Sequence, residues 1–308
     1  MIASRPARLM AAAAREMCGA AVLTAVACAL ASCSASPPPR GHPSSTGPVP
    51  SGTFTPGSLK TGGRPAWMLT RAALAQVGTD PALLAGLQRS RVLEILHPGQ
   101  SLLALAGAQP VVTFSSAGEL EQAVSGGQLP AGTRMLLYDP EAWGFTPRAE
   151  QINPAAAAGR AQAIAHAHGL SLIVAPALNL TTVHPDPGGG PRWRQFLRRG
   201  LAAAIAKVSD VLELQAQSLE RDTRSYATFV REAASQARAA NPQVAILAGL
   251  STNPPGAEVT SQQLTAAIHA TSGIVDGYWL NIPGRGPRCP TCNSPRPDVA
   301  QAALRSVL

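Results

Sequence analysis

The chain has 308 residues, a formal net charge of +8, 45% hydrophobic residues and only 4% aromatic ones. Lys60 and Lys207 are the only lysines, so arginine supplies nearly all the positive charge. It is scattered, the longest cluster being Arg192, Arg194, Arg198 and Arg199. Basic residues without interleaved aromatics do not make a nucleic-acid surface, so no nucleic-acid partner is expected.

Arg5, Arg8 and Arg15 precede an apolar run, Gly19 to Leu30, of about a dozen residues. A bilayer-spanning helix needs roughly 20. A positive start, a short apolar stretch and small residues behind it describe a signal peptide over 1–32. The following Leu30-Ala31-Ser32-Cys33 resembles a bacterial lipobox: an aliphatic residue, two small residues, then the cysteine that receives lipid. The resemblance implies a lipoprotein acylated on Cys33 and held at the extracytoplasmic face of the cell membrane. The competing reading is an ordinary secretory signal cut near Ala31. Residues 33–65 are dominated by Pro, Gly, Ser and Thr. Such a segment is too poor in apolar residues to form a core and reads as a disordered tether.

From 66 to 308 a single domain of α/β-barrel size is expected. Short apolar runs alternate with helical patterns. Strands are predicted at 91–96, 110–114, 134–139, 170–176, 211–216, 244–249 and 278–282. Helices are predicted after 119, at 154–168, 193–208, 226–240 and 261–270, and from Pro297 onward. An eighth strand has to come from Trp67 to Leu69, where the signal is poor. Strand–helix alternation at this spacing means right-handed βαβ units on a parallel sheet.

The 211–217 segment decides between an open sheet and a barrel. Glu213, Gln215 and Gln217 share one face, and Leu212, Leu214 and Ala216 share the other. A strand covered by helices on both sides should be nearly all apolar. A polar face suits the upper interior of a barrel, and no Gly-rich dinucleotide fingerprint follows any strand. The expected fold is a TIM-type (βα)8 barrel, irregular or incomplete at its first strand.

Barrel active sites lie at the C-terminal strand ends. That rule gathers Asp139, Glu141 and Trp143 after one strand, and Asn179 after the next. Glu213, Gln215 and Gln217 come from the polar strand, Asn253 follows 244–249, and Trp279 and Asn281 come from the last. Acids and amides pair with hydroxyls, and indoles pack on sugar rings. Hydrolysis of a glycosidic bond needs two carboxyl groups. Glu213 is the expected partner of Asp139 or Glu141, with the roles of acid and nucleophile left open.

Bland alternatives stand beside each assignment. Asp139 before Pro140 could cap a loop, Glu213 could be buried against an arginine, and Trp279 could be core. The Tyr138-Asp139-Pro140-Glu141-x-Trp143 strand end and the Glu213-x-Gln215 strand are similar to the glycoside-hydrolase barrel superfamily. The likeness is at fold level; the chitinase-type Asp-x-x-Asp-x-Asp-x-Glu strand is absent, so no family's catalytic residues carry over. Two functions compete: a carbohydrate-processing enzyme, and a catalytically silent barrel binding a glycan or cell-wall ligand.

Cys18 and Cys28 fall within the signal peptide, and Cys33 is the lipidation residue. Cys289 and Cys292 remain, in a Pro/Gly-rich loop. One such pair is too few for a zinc ribbon, and an oxidising compartment favours a disulfide. The histidines have no metal-binding spacing. No cofactor or metal is expected, and no Gly-x-Ser-x-Gly elbow supports a serine hydrolase.

Overall fold

A computed structural model describes residues 59–308, apart from 62, 101–104, 106, 185–186 and 255–257. The expected signal peptide, Cys33 and the expected tether up to residue 58 lie outside the described residues. In chain order the first elements are β1 (Ala66–Thr70), α1 (Arg71–Val77), α2 (Pro81–Gln88), β2 (Val92–Leu96), β3 (Gln109–Phe114) and α3 (Ala117–Ser125). Next come β4 (Met135–Tyr138), α4 (Arg148–Ile152), α5 (Pro154–Ala167), β5 (Ser171–Val174), α6 (Arg192–Arg198) and α7 (Leu201–Ala206). The last are β6 (Val211–Leu214), α8 (Thr223–Ala240), β7 (Ala245–Ser251), α9 (Ser261–Thr271), β8 (Gly277–Asn281) and α10 (Pro297–Arg305).

All eight strands are parallel and close in sequence order, with β8 pairing back onto β1. The fold is a complete TIM-type barrel. The first strand is neither irregular nor missing. Trp67 pairs with Val92 on one side and Tyr278 on the other, so two neighbours specify a strand too short to stand out by itself. The helix expected at 193–208 is two helices. Gly200 breaks it with a left-handed φ of 61°, a conformation open to glycine at little cost.

Alternation along the strands sorts the core into two layers. Trp67, Leu69, Val112, Leu136, Leu172, Leu212, Ile246 and Tyr278 face the helices. Ala66, Met68, Leu93, Val111, Met135, Ile173, Val211, Ala245 and Trp279 belong to a separate interior cluster. Leu59 joins that inner cluster and is fully buried. Lys60 beside it contacts Asp276, 3.7 Å away, at the foot of β8. The chain therefore enters the barrel from its N-terminal end, which Leu59 stoppers.

Two aspartates organise that end. The carboxylate of Asp210 accepts the backbone N–H of Leu172 at 2.7 Å and meets His166 Nε2 at 2.9 Å. Asp276 accepts the N–H of Ile246 at 2.8 Å and contacts Arg238 at 3.2 Å. Each sits just before a strand and satisfies a donor of the adjacent strand. Outside the barrel wall, buried Glu150 accepts from the Tyr138 hydroxyl at 2.7 Å and from the N–H of Ala117 at 3.1 Å, tying α3 and α4 to β4.

Among the described residues no helix is long and apolar enough to cross a membrane.

Candidate active site

The C-terminal end of the barrel opens into a cavity of about 550 Å³. Its lining includes Asp139, Glu141, Trp143, Asn179, Gln215, Gln217, Trp279 and Asn281. Eight of the ten residues read as site candidates thus converge on one space. They do so because the inward row of each strand continues past the apolar layers into polar positions at the top. Along β4 and its extension the inward row is Met135, Leu137, Asp139 and Glu141; along β6 it is Val211, Glu213, Gln215 and Gln217.

Asp139 lies deep, 6% exposed. Gln215 Nε2 donates to its carboxylate at 2.6 Å and to the Ala175 carbonyl at 2.8 Å, so one amide bridges β5 and the end of β4. Burial pushes the Asp139 carboxyl well above the usual carboxylate range, and the charge of Glu141 pushes the same way, against Arg288 and the Gln215 hydrogen bond. Glu141 is half-buried. Asn179 Nδ2 donates to it at 3.2 Å, and Asn179 Oδ1 accepts the N–H of Ala142 at 2.8 Å. Burial raises the Glu141 carboxyl as well, opposed by Asn179 and Arg288. The two acids are thus adjacent, mutually repelling and partly dehydrated, which favours a retained proton.

Trp143 Nε1 donates to Thr146 at 2.9 Å, and its ring meets Phe145 edge-on at 5.1 Å. Phe145 is 45% exposed. Trp279 belongs to the interior cluster and also lines the cavity, so it is core on one side and floor on the other. Gly249 faces the Gln217 amide, and a Cβ there would run into it; the missing side chain is the room in which Gln217 lies.

Two candidates do not line the cavity. Glu213 is fully buried below it, in the Val211 row. Neither carboxylate oxygen has a hydrogen-bond partner, and burial, then Asp139 and Glu141, push its carboxyl well above the usual range. The alternative reading, burial against an arginine, fails as well, since no arginine pairs with it among the described residues. A buried, unsatisfied carboxyl is cheapest when protonated. Asn253 is also buried and spans to the loop after β8, donating to the Ser294 carbonyl at 3.3 Å.

Several lining residues were not singled out from the sequence. Arg288 lies 5.6 Å from the Trp143 ring centroid and 5.4 Å from that of Phe145. It rides on the loop closed by the Cys289–Cys292 disulfide, whose Cα atoms are 5.3 Å apart. Both cysteines line the cavity, as does Arg192. His97 lines it too, with its imidazole shifted towards the neutral form by burial and then by Arg288. Glu220 is buried behind the β6 end, where its Oε1 accepts the N–H of Ser251 at 2.7 Å. Burial pushes it up to about 8, against backbone N–H donors from Glu220, Ser251 and Ser218. Ser218 adopts a left-handed φ of 84° in the same turn. His97 follows the early strand, so strand-end counting does place it at this end of the barrel; the loop residues carry no periodic signal.

Among the described residues no cluster of His, Cys, Asp or Glu could hold a metal ion. No family model and no curated protein matches the chain. Solved structures similar to it include an alpha-L-fucosidase described as putative from Bacteroides thetaiotaomicron (8% identity, TM-score 0.45, covering 75% of this chain and 85% of that one). A sugar phosphate isomerase/epimerase from Parabacteroides distasonis gives 11% identity and a TM-score of 0.44, over 83% of this chain and 97% of that one. A chitinase from Chromobacterium violaceum gives 12% and 0.44, over 79% and 98%. At these scores the likenesses add nothing to what the strand order shows.

Proposed function

We propose that this protein is an exported lipoprotein, anchored through Cys33, whose barrel cleaves a glycosidic bond in a carbohydrate outside the cytoplasm. One observation carries the chemistry. Two adjacent carboxyls with raised proton affinity, Asp139 and Glu141, face a cavity that also presents the amides of Asn179, Gln215, Gln217 and Asn281 and the indoles of Trp143, Trp193 and Trp279. A protonated carboxyl at neutral pH is what departure of a glycosidic oxygen requires. Glu141, the more exposed of the two, is assigned as the acid. Its proton passes to the glycosidic oxygen as the bond from the anomeric carbon breaks; water then adds its hydroxyl to that carbon and gives its other proton to the Glu141 carboxylate, which restores the acid. Asp139, held by Gln215, supports the positive charge that develops on the sugar. Glu213 is fully buried below the cavity and is given no part in the chemistry.

One observation favours the binding-only alternative. Asp139, Glu141 and Glu213 are all raised together, which leaves no carboxylate firmly ionised to serve as nucleophile or base.

Turnover on a panel of aryl glycosides and cell-wall polysaccharides separates the two. The enzyme reading expects Glu141→Gln to lower kcat by about 10²–10⁴-fold while sugar binding persists. A wild-type chain that binds sugar and turns over none of the panel, with affinity unchanged in the variant, decides for the silent barrel. The anchor is tested separately: an alkyne-fatty-acid label should enter the wild-type chain and fail to enter Cys33→Ala.

A further inference from the structure

Arg288 is placed as a receptor rather than as a structural cation. Trp143 and Phe145 support the face of its guanidinium. Stacking occupies the face and leaves the N–H edges available for a planar or tetrahedral oxyanion. Its charge is felt by Asp139 and Glu141 in the same cavity, but among the described residues it is engaged by no carboxylate at ion-pair distance. It also lines a second cavity, of about 290 Å³, which shares His97 and Thr113 with the larger one. The two spaces therefore meet at Arg288, so a chain of sugars occupying both would pass its N–H edge. Arg192 adds a second guanidinium to the larger cavity.

We propose that the ligand is an anionic glycan, carrying a carboxylate or phosphate on the sugar at the junction of the two cavities, and that Arg288 binds this group with Arg192 assisting. The proposal rests on the glycan reading and specifies its substrate class. Discrimination comes from a bidentate, charge-assisted contact that a neutral sugar cannot make.

The test uses the full-length chain on an array of matched neutral, carboxylated and phosphorylated oligosaccharides, at low and at moderate salt. The wild type should prefer one anionic set over its neutral counterpart by at least about tenfold, with the preference weakening as salt rises. Which set wins identifies the anion. Arg288→Gln should erase the preference by weakening anionic binding far more than neutral binding, Arg288→Lys should keep part of it, and Arg192→Gln should reduce it. Arg288 is exposed, so these variants should fold, as circular dichroism can verify. Equal binding of neutral and anionic sugars overturns the proposal and leaves the glycan reading standing. An anionic preference unchanged in Arg288→Gln overturns the assignment to this residue. Binding of no oligosaccharide at all overturns both.

Discussion

The two ends of the barrel treat charge in opposite ways. At the N-terminal end, Asp210 and Asp276 each accept a backbone N–H and meet a cationic or titratable partner, and Leu59 seals the interior. At the C-terminal end, Asp139, Glu141, Glu213 and Glu220 are dehydrated without an ion-pair partner and have raised proton affinity. The same side-chain chemistry thus stabilises the fold at one end and strains it at the other. Acids that a fold does not need, kept where they cost stability, mark the end where ligand chemistry is to be sought.

This contrast predicts a pH response with a definite sign. An acid whose folded pKa is raised contributes stability that is fully present below its unfolded value and lost as pH rises through the folded one. For Glu220 that window runs from about 4.5 to about 8. Urea unfolding should therefore show stability falling from pH 4.5 to 8, by on the order of 3 kcal/mol from this residue alone. Glu220→Gln should flatten that part of the slope. A stability that rises over the same range would break the comparison.

The lower end should respond next most strongly, and without that pH trend. Asp276→Ala removes the acceptor for Ile246 N–H and the partner of Arg238 and Lys60. A loss of about 2 kcal/mol is expected from the charged hydrogen bond, measured by thermal or urea unfolding, with ligand affinity unchanged. The smallest effect sharpens the upper end. Gly249→Ala pushes the Gln217 amide out of its place, so sugar affinity should fall by about tenfold, or roughly 1.4 kcal/mol, in a titration. Stability should change by no more than about 1–3 kcal/mol, since the displaced group is a flexible side-chain end.

Much of this was legible in the sequence because barrel strands advertise themselves. The runs at 110–114, 134–139 and 170–176 are apolar and bounded by turn residues, and the Glu213, Gln215, Gln217 alternation revealed both the barrel and its inward face. Alternation gives the face of a residue, however, and not its depth. Glu213 and Gln215 share a face, yet one is sealed in the core and the other reaches the cavity, because stagger between neighbouring strands sets the height of each layer. Asn253 followed the strand-end rule and was instead drawn under the loop after β8. That loop also brings Arg288 to the cavity, through a disulfide, two aromatic rings and no periodicity. Gly200 shows the same limit for helices: a single left-handed residue divides a run whose pattern reads as continuous.

The stopper formed by Leu59 also bears on how the molecule can be presented. Leu59 joins the barrel at its sealed end, opposite the cavity. For a chain tethered at Cys33, the 34–58 stretch could extend to roughly 85 Å if fully drawn out. That length would let the cavity sample material well beyond the bilayer's own headgroups.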